Sequence, residues 1–250
     1  VQHTQANSPA VACRDMGPTV AQVLCLASAR PGTAVLELGN LGTLVCWGAS
    51  PACVDPPDWR GALRGLLRPG GAPWTGGVVG WIGYEAGAQL DRQPVHSDRS
   101  VPTVALWRWE AGLVRTRGGR WDPVGSPKGR AEAAAVLVQA RDVAPVHLPA
   151  QVATTPSPPE GQAARYRGAV RHALRHIGSG DVYQVCLSWE QELRGAVDPV
   201  NAWLSLRDAN PAERAALLRV GDTWVLSNSP ETFIDVSPGL DGLEVRSAPI

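Results

Sequence analysis

Apolar residues recur at helical spacing in some stretches of the chain and alternate with polar residues in others. Between Tyr166 and Ile177 the apolar positions fall on one side of a helix, and the arginines fall on the other side. Gly178 and Gly180 follow, and glycine is typical of a helix end because it adopts left-handed backbone conformations. Residues 183–189 then alternate, which predicts a strand with one apolar face. The stretch is therefore expected to form a helix followed by a strand.

The N-terminal half of the chain predicts further helices and antiparallel strands. A helix is predicted over residues 19–29, and strands over 33–38 and 43–47 are expected to pair as a hairpin. The same patterns predict a short helix over 59–67, a glycine-rich strand within 76–87, a hairpin of 101–110 with 112–117, and a helix over 130–142 with Ala134, Leu137 and Val138 facing inward.

A proline-rich stretch separates this half from the rest. Residues 143–161 contain five prolines, with Thr, Ser and Gln between them, which is typical of a linker. We therefore predict an N-terminal region at 1–145, a linker at 146–161 and a second domain that begins at 162 and runs to 250. Beyond the first helix and strand of that domain, the pattern predicts a helix starting at Pro199 with Val200, Trp203, Leu204 and Leu206 on its core side, a hairpin of 215–220 with 223–227, and strands at 234–236 and 243–246.

Composition excludes several classes of function. Lys and Arg number 23 and so do Asp and Glu, so the zero formal net charge gives no indication of a nucleic-acid or anionic-membrane partner. No apolar run approaches the ~20 residues that span a bilayer, and no signal peptide is visible, which favours a cytoplasmic protein. The five cysteines contain no C-x-x-C pair, so we expect buried reduced thiols rather than a zinc site or disulfides.

Three features admit more than one interpretation. The glycines of residues 76–87 suggest a nucleotide loop, but the lysine of a phosphate-binding loop is missing, so close packing of a strand is favoured. His172 and His176 are four residues apart on a predicted helix, a spacing that suits a metal, but without a nearby acidic or thiol ligand a metal site is not favoured. Trp107 and Trp109 share one face of a strand, which favours core packing over a cofactor stack.

Three motifs, in order along the chain, resemble those of chorismate-utilising enzymes. Residues 76–87 resemble the Gly-Gly-x-x-Gly-x-x-Gly-Tyr-Asp/Glu signature in the N-terminal region of their large subunits. Residues 180–188, Gly-Asp-Val-Tyr-Gln-Val-Cys-Leu-Ser, resemble the entry to their chorismate-binding domain. Residues 227–233 resemble their Ser-x-Ser-Pro-Glu-x-Phe motif. Beyond these three, residues 246–250 resemble the start of an Arg-Pro-Ile-x-Gly-Thr motif with an altered lead-in.

The resemblance implies an α+β fold of two large antiparallel β-sheets packed together with helices outside, incomplete here. The function it implies is that of the large subunit of aminodeoxychorismate synthase, which converts chorismate and ammonia to 4-amino-4-deoxychorismate for 4-aminobenzoate and folate synthesis. It further implies Mg2+ and a glutamine amidotransferase subunit or domain that supplies the ammonia. Two alternatives remain: component I of anthranilate synthase, and a non-catalytic chorismate-domain fragment.

Glu231 is the candidate catalytic residue. Taken alone, Pro230 fixes a turn, and Glu231 lies in the first residues of a helix whose positive end it complements. The resemblance instead implies that Glu231 protonates the departing hydroxyl of chorismate. It also implies that the residue after Ile250 is lysine in the aminodeoxychorismate type and alanine in the anthranilate type; we expect lysine. The family's magnesium ligands are expected beyond residue 250, so residues 1–250 alone are expected to be inactive.

A second set of residues corresponds to the tryptophan pocket of many anthranilate synthases. Their Leu-Leu-Glu-Ser and Asn-Pro-Ser-Pro-Tyr motifs correspond here to residues 35–38 and 210–214, in which Leu38 replaces the serine and Arg214 the tyrosine. The polar donor and the aromatic wall are therefore lost. We predict a vestigial pocket that does not bind tryptophan, which favours the aminodeoxychorismate type; its residues are Glu37, Leu38, Asn210, Pro211 and Arg214.

Overall fold

The computed structural model of the chain describes residues 17–48, 52–67, 74–88, 101–144, 161–188, 197–239 and 242–248. The chain divides into two compact units, which are described separately. One unit comprises Val1–Leu148 with Pro199–Ile250, and the other comprises Pro149–Asp198. Apart from Gly161, the predicted linker lies outside the described residues, and the predicted domain boundary remains a prediction.

The fold is α+β, as the resemblance implied. Among the described residues, the α-helices are α1 (Val20–Ala27), α2 (Trp59–Leu66), α3 (Pro127–Ala140), α4 (Gln162–Ser179) and α5 (Pro199–Ala209). The strands are β1 (Ala34–Glu37), β2 (Thr43–Trp47), β3 (Cys53–Val54), β4 (Gly77–Ile82), β5 (Val104–Trp109), β6 (Ala111–Arg115), β7 (Trp121–Gly125), β8 (Arg214–Val220), β9 (Thr223–Ser229), β10 (Thr232–Gly239) and β11 (Gly242–Ala248).

The strands form three sheets in which every pairing is antiparallel. The largest has six strands in the order β7-β6-β2-β1-β8-β9, the second has three in the order β3-β5-β4, and β10 pairs with β11. The predicted hairpins β1–β2 and β8–β9 are confirmed. Strand β8 also pairs with β1. The six-stranded sheet therefore combines strands from before the predicted linker with strands that begin more than fifty residues after it.

Alternation along the strands gives the six-stranded sheet two buried faces. One face, to which Val35, Val45 and Leu217 belong, packs against α1, α3 and α5. The other face packs against the three-stranded sheet, where Trp107 is fully buried and Trp109 is 5% exposed, so their predicted core role is confirmed. The second face of the three-stranded sheet is covered by α2. This unit is therefore layered as helices, sheet, sheet and helix.

The predicted hairpin of residues 101–117 is wrong. The strand before Glu110, β5, pairs with β3 and β4, whereas the strand after it, β6, pairs with β2 and β7. A single residue does not reverse a chain, since the shortest common hairpin loops need about two residues. The backbone of Glu110 bonds to Trp47 and Ser126, and the chain passes there from one sheet to the other.

Two helices differ from their predicted inner faces. In α3 the buried residues are Gly129, Ala133, Val136 and Ala140, while Val138, predicted to face inward, is 63% exposed. Small residues occupy the inner side because the helix approaches the sheet closely; a Cβ on Gly129 would lie 1.9 Å from the Glu110 carbonyl oxygen. In α5, Trp203 and Leu204 are buried as predicted, but Leu206 is exposed.

The segment after α4 is not the predicted strand. Helix α4 ends at Gly180, which has the left-handed φ of 81° expected of a helix-terminating glycine. Residues 181–188 follow without a strand assignment, and Tyr183 is 95% exposed. A strand exists only when a partner supplies its hydrogen bonds, and alternation along residues 183–188 does not supply one.

Candidate active site

Glu231 lies in the short connection between β9 and β10, not at the start of a helix as predicted. Strand β9 ends at Ser229 and β10 begins at Thr232, so Pro230 and Glu231 join two strands. The Ser229 hydroxyl accepts a hydrogen bond from the Glu231 N–H at 3.2 Å, and it donates to the Glu231 carbonyl oxygen at 3.3 Å. The turn therefore fixes the backbone of Glu231 while its side chain stays exposed.

Arg214 connects this turn to the six-stranded sheet. It begins β8 directly opposite Ser229. Its Nε donates to the Thr232 hydroxyl at 2.7 Å, and its guanidinium lies 3.4 Å from the Asp235 carboxylate. The Arg214 side chain thus contacts Thr232, which follows Glu231, while Ser229 bonds to the backbone of Glu231 itself. Both ends of the Pro230–Glu231 connection are therefore fixed by hydrogen bonds.

A cavity of about 600 Å3 lies elsewhere in the same unit, between β1, β2, β6 and the end of α5. Glu37 forms part of its wall and is already engaged: it accepts hydrogen bonds from Arg207 Nε at 2.6 Å and from the Thr43 hydroxyl at 2.8 Å. Its side chain is only 15% exposed. None of the described residues that line the cavity is aromatic, and they include charged side chains of both signs: Glu37, Asp208, Glu213, Arg115, Arg117 and Arg207.

The structure brings together only some of the residues predicted for the vestigial pocket. Glu37 and Pro211 both line the cavity. Leu38 instead packs against the core between the two sheets, and the Asn210 carbonyl accepts a hydrogen bond from Asn228 at 2.7 Å. Arg214, as described, contacts β10. The arginines of this cavity come from β6, its following turn and α5, and no motif in the sequence marked them.

The other two motifs have structural roles in the residues that the structure describes. Gly80 of β4 has a φ of 155°, and a Cβ there would lie 1.9 Å from the Ala105 carbonyl oxygen of β5, so this glycine permits close strand packing. The turn after β4 leaves Tyr84 97% exposed. In the separate unit, the Tyr166 hydroxyl of α4 donates to the Leu187 carbonyl at 3.5 Å, which holds the extended segment beside the helix.

The described residues contain few other features of a reactive site. Of the cysteines described, Cys46 is buried as expected, but Cys25 and Cys186 are exposed, and all four of those described are reduced. Within the same part of the chain, no group of three or more His, Cys, Asp or Glu side chains is placed to hold a metal ion. No helix there has the length and apolarity that a membrane span requires.

Comparison with known proteins identifies the family. Residues 52–250 match the family model described as chorismate binding enzyme. The chain is 45% identical over 76 residues to anthranilate synthase component 1 of Haloferax volcanii, covering 30% of this chain and 14% of that protein. It is 41% identical over 78 residues to aminodeoxychorismate synthase of Streptomyces pristinaespiralis, covering 31% of this chain and 11% of that protein.

A longer match extends over most of the chain. The chain is 28% identical over 197 residues to anthranilate synthase component 1 of Thermus thermophilus, and this match covers 71% of this chain and 39% of that protein. The chain therefore spans well under half the length of these curated relatives.

Proposed function

Because this chain belongs to the chorismate binding enzymes, we propose that its protein is the large subunit of an aminodeoxychorismate synthase. It would replace the hydroxyl of chorismate by an amino group and release 4-amino-4-deoxychorismate. The relatives alone do not decide between the two activities, since matches carry both the aminodeoxychorismate and the anthranilate name. Our proposal of the aminodeoxychorismate type is supported by the cavity around Glu37.

The character of that cavity supports the aminodeoxychorismate type. An amino-acid pocket offers an apolar or aromatic wall for the side chain and a few unengaged polar groups for the charged ends. Here the Glu37 carboxylate already accepts hydrogen bonds from Arg207 and Thr43, and none of the described lining residues is aromatic. Leu38 and Arg214, which replace the serine and the tyrosine of the tryptophan-binding motifs, contact other parts of the fold. The described residues that line this cavity therefore offer tryptophan neither an aromatic wall nor an unengaged Glu37 carboxylate.

Glu231 supplies the acid in this proposal. Hydroxide is a poor leaving group, so a positioned acid that protonates the departing oxygen lowers the barrier. The turn at Ser229 and the contact between Arg214 and Thr232 hold the backbone on both sides of Glu231. Its exposed carboxyl can therefore meet a substrate without rearrangement of the six-stranded sheet.

Three further features belong to the proposal. Mg2+ would counter the carboxylates of the substrate; among the described residues no group of three or more His, Cys, Asp or Glu side chains is placed to hold it. A glutamine amidotransferase would deliver ammonia. The product would serve 4-aminobenzoate and folate synthesis in the cytoplasm.

The second candidate is component 1 of anthranilate synthase, which carries the name of the matches in Haloferax volcanii and Thermus thermophilus. The two reactions differ in their products. The anthranilate reaction releases pyruvate and a fluorescent aromatic amine, whereas the aminodeoxychorismate reaction retains the enolpyruvyl group.

Product analysis distinguishes the two activities. The full-length gene product is incubated with chorismate, magnesium and ammonium, and the products are identified by mass spectrometry while pyruvate is followed by a coupled dehydrogenase. We expect 4-amino-4-deoxychorismate without pyruvate. Anthranilate with stoichiometric pyruvate would establish the second candidate instead, and unchanged chorismate would refute both.

A further inference from the structure

The end of helix α4 carries a chain of hydrogen-bonded polar side chains that the proposed function does not use. Arg175 lies 3.0 Å from His172 Nδ1, and His172 Nε2 lies 2.9 Å from His176 Nε2. His176 Nδ1 lies 2.8 Å from the Asp181 carboxylate, to which the Ser179 hydroxyl donates at 2.7 Å. The sequence placed the histidines four apart on a helix; the acidic partner was not recognised.

Asp181 reaches His176 because of the way the helix ends. Gly180 adopts a left-handed φ of 81°, and the Asp181 N–H bonds back to the His176 carbonyl at 3.0 Å. This cap turns the chain back along the helix. The hydrogen bonds from Ser179 and then from His176 lower the pKa of the Asp181 carboxyl.

The ring protons in this chain follow from the partners. Arginine only donates, so His172 Nδ1 accepts, and the ring proton of His172 lies on Nε2. The Asp181 carboxylate only accepts, so His176 carries its proton on Nδ1. The Nε2 lone pair of His176 therefore points at His172, and a single proton lies between the two Nε2 atoms.

This arrangement has the form of a metal chelate. Metal-binding histidines typically donate their other ring nitrogen to a carboxylate, which fixes the tautomer and raises the basicity of the ligand, and Asp181 does this for His176. The ring centroids are 4.6 Å apart, and both rings are exposed. They border a cleft of about 330 Å3 whose other walls are apolar, formed by Ala169, Ala173, Val182, Val185 and Leu187.

We propose that His172 and His176 form a bidentate site for a divalent transition metal such as Zn2+, with Asp181 as its orienting carboxylate. Bonds of about 2.0–2.1 Å in tetrahedral geometry place two ligand nitrogens roughly 3.3 Å apart. The Nε2 atoms, now at 2.9 Å, need to separate by only a few tenths of an ångström. Imidazole nitrogen suits this class of metal, whereas Mg2+ prefers oxygen.

Metal binding changes the proton arrangement in a defined way. The metal takes the place of the proton between the two Nε2 atoms, and His172 shifts its ring proton to Nδ1, so no net proton is lost. The guanidinium of Arg175, itself a donor, then faces the Nδ1–H of His172 and has to move away. The remaining coordination positions are filled by water, since the described residues offer no third ligand of this kind. Arg175 therefore opposes metal binding and Asp181 favours it.

Calorimetric titration of the whole protein with Zn2+ in excess Mg2+ tests the site. Excess Mg2+ occupies oxygen-ligand sites and leaves the histidine pair to zinc. We expect His172→Ala with His176→Ala to abolish one zinc equivalent, and Asp181→Asn to weaken binding about 10–100-fold. Arg175→Gln, whose amide oxygen can accept a hydrogen bond from the Nδ1–H of metal-bound His172, should tighten it. His147→Ala, which removes a histidine outside the described residues, is the matched control and should bind as the wild type does.

The expected changes in zinc affinity have opposite signs, because Asp181→Asn should weaken binding and Arg175→Gln should tighten it. Alanine is a strong helix former and the replaced side chains are exposed, so unfolding is not expected, and circular dichroism verifies this for each variant. A zinc isotherm unchanged in the double variant would overturn the proposal, and so would equal effects of Asp181→Asn and His147→Ala. Neither result bears on the activity toward chorismate, because the site does not rest on the proposed function.

Discussion

Replacement of Arg214 by methionine tests how the turn at Glu231 is held. The lost hydrogen bond from Nε to the Thr232 hydroxyl is 2.7 Å long, and a bond with one charged partner contributes about 1.5–3 kcal/mol. The ion pair between Arg214 and Asp235 is 3.4 Å long, and the Asp235 side chain is half-exposed. Ion pairs near the surface contribute about 0–1 kcal/mol to stability. Because Arg214 is itself 30% exposed, we expect the free energy of unfolding to fall by about 2 kcal/mol.

A double-mutant cycle isolates the contribution of the hydrogen bond. Urea unfolding is measured for Arg214→Met, Thr232→Val and the double variant, and we expect a coupling energy of about 1 kcal/mol or more. Arg130→Met, on an exposed position of α3, is the matched control and should change stability by less than about 0.5 kcal/mol. Additive effects of the two single replacements would refute the conclusion that Arg214 holds β10 through Thr232.

Three other predictions concern the cavity and the thiols. Glu37→Gln removes the charge that Arg207 contacts at 2.6 Å and should lower the free energy of unfolding in urea by about 1–3 kcal/mol; an unchanged midpoint would contradict this. Burial raises the pKa of the Cys46 thiol, so at neutral pH a thiol reagent should modify exposed Cys25 and Cys186 and reach Cys46 only on unfolding; equal labelling rates in the folded protein would contradict this. Free tryptophan should not bind the full-length protein in calorimetry, because the described lining of the cavity lacks an aromatic wall and Glu37 is already paired; a dissociation constant in the low micromolar range would show this reasoning wrong.

Local patterns in the sequence predicted the elements but not all of their partners. Helix α1 and the β1–β2 hairpin were predicted because caps, turns and alternation lie within a few residues of each other. The passage between sheets at Glu110 and the pairing of β8 with β1 depend on contacts between distant residues, which periodicity does not contain. The inner face of α3 was predicted only in part: Leu137 packs against the core, but close packing selected small residues over Val138.

The candidate sites show the same division. The Ser-Pro-Glu motif directed attention to Glu231, but only the structure shows Arg214 beside β10. Glu37 and Pro211, far apart in sequence, line one cavity, while Arg207 had no motif to mark it. Asp181, which follows the end of α4, was not predicted as a partner of His176. Gly180 before it is nevertheless the kind of residue at which a chain turns back after a helix.

The role of Glu231 as the acid in chorismate conversion is tested most directly by the turnover of Glu231→Gln in the full-length enzyme. Glutamine keeps the shape of the side chain and the turn at Ser229, which uses only the backbone of residue 231, but its amide is too weak an acid to transfer a proton to a departing hydroxyl. With chorismate, magnesium and ammonium we expect kcat to fall by about 10²–10⁴, the usual contribution of general acid catalysis, while chorismate binding changes little. Loss of chorismate binding with undiminished kcat would contradict this role and make Glu231 a binding or structural residue.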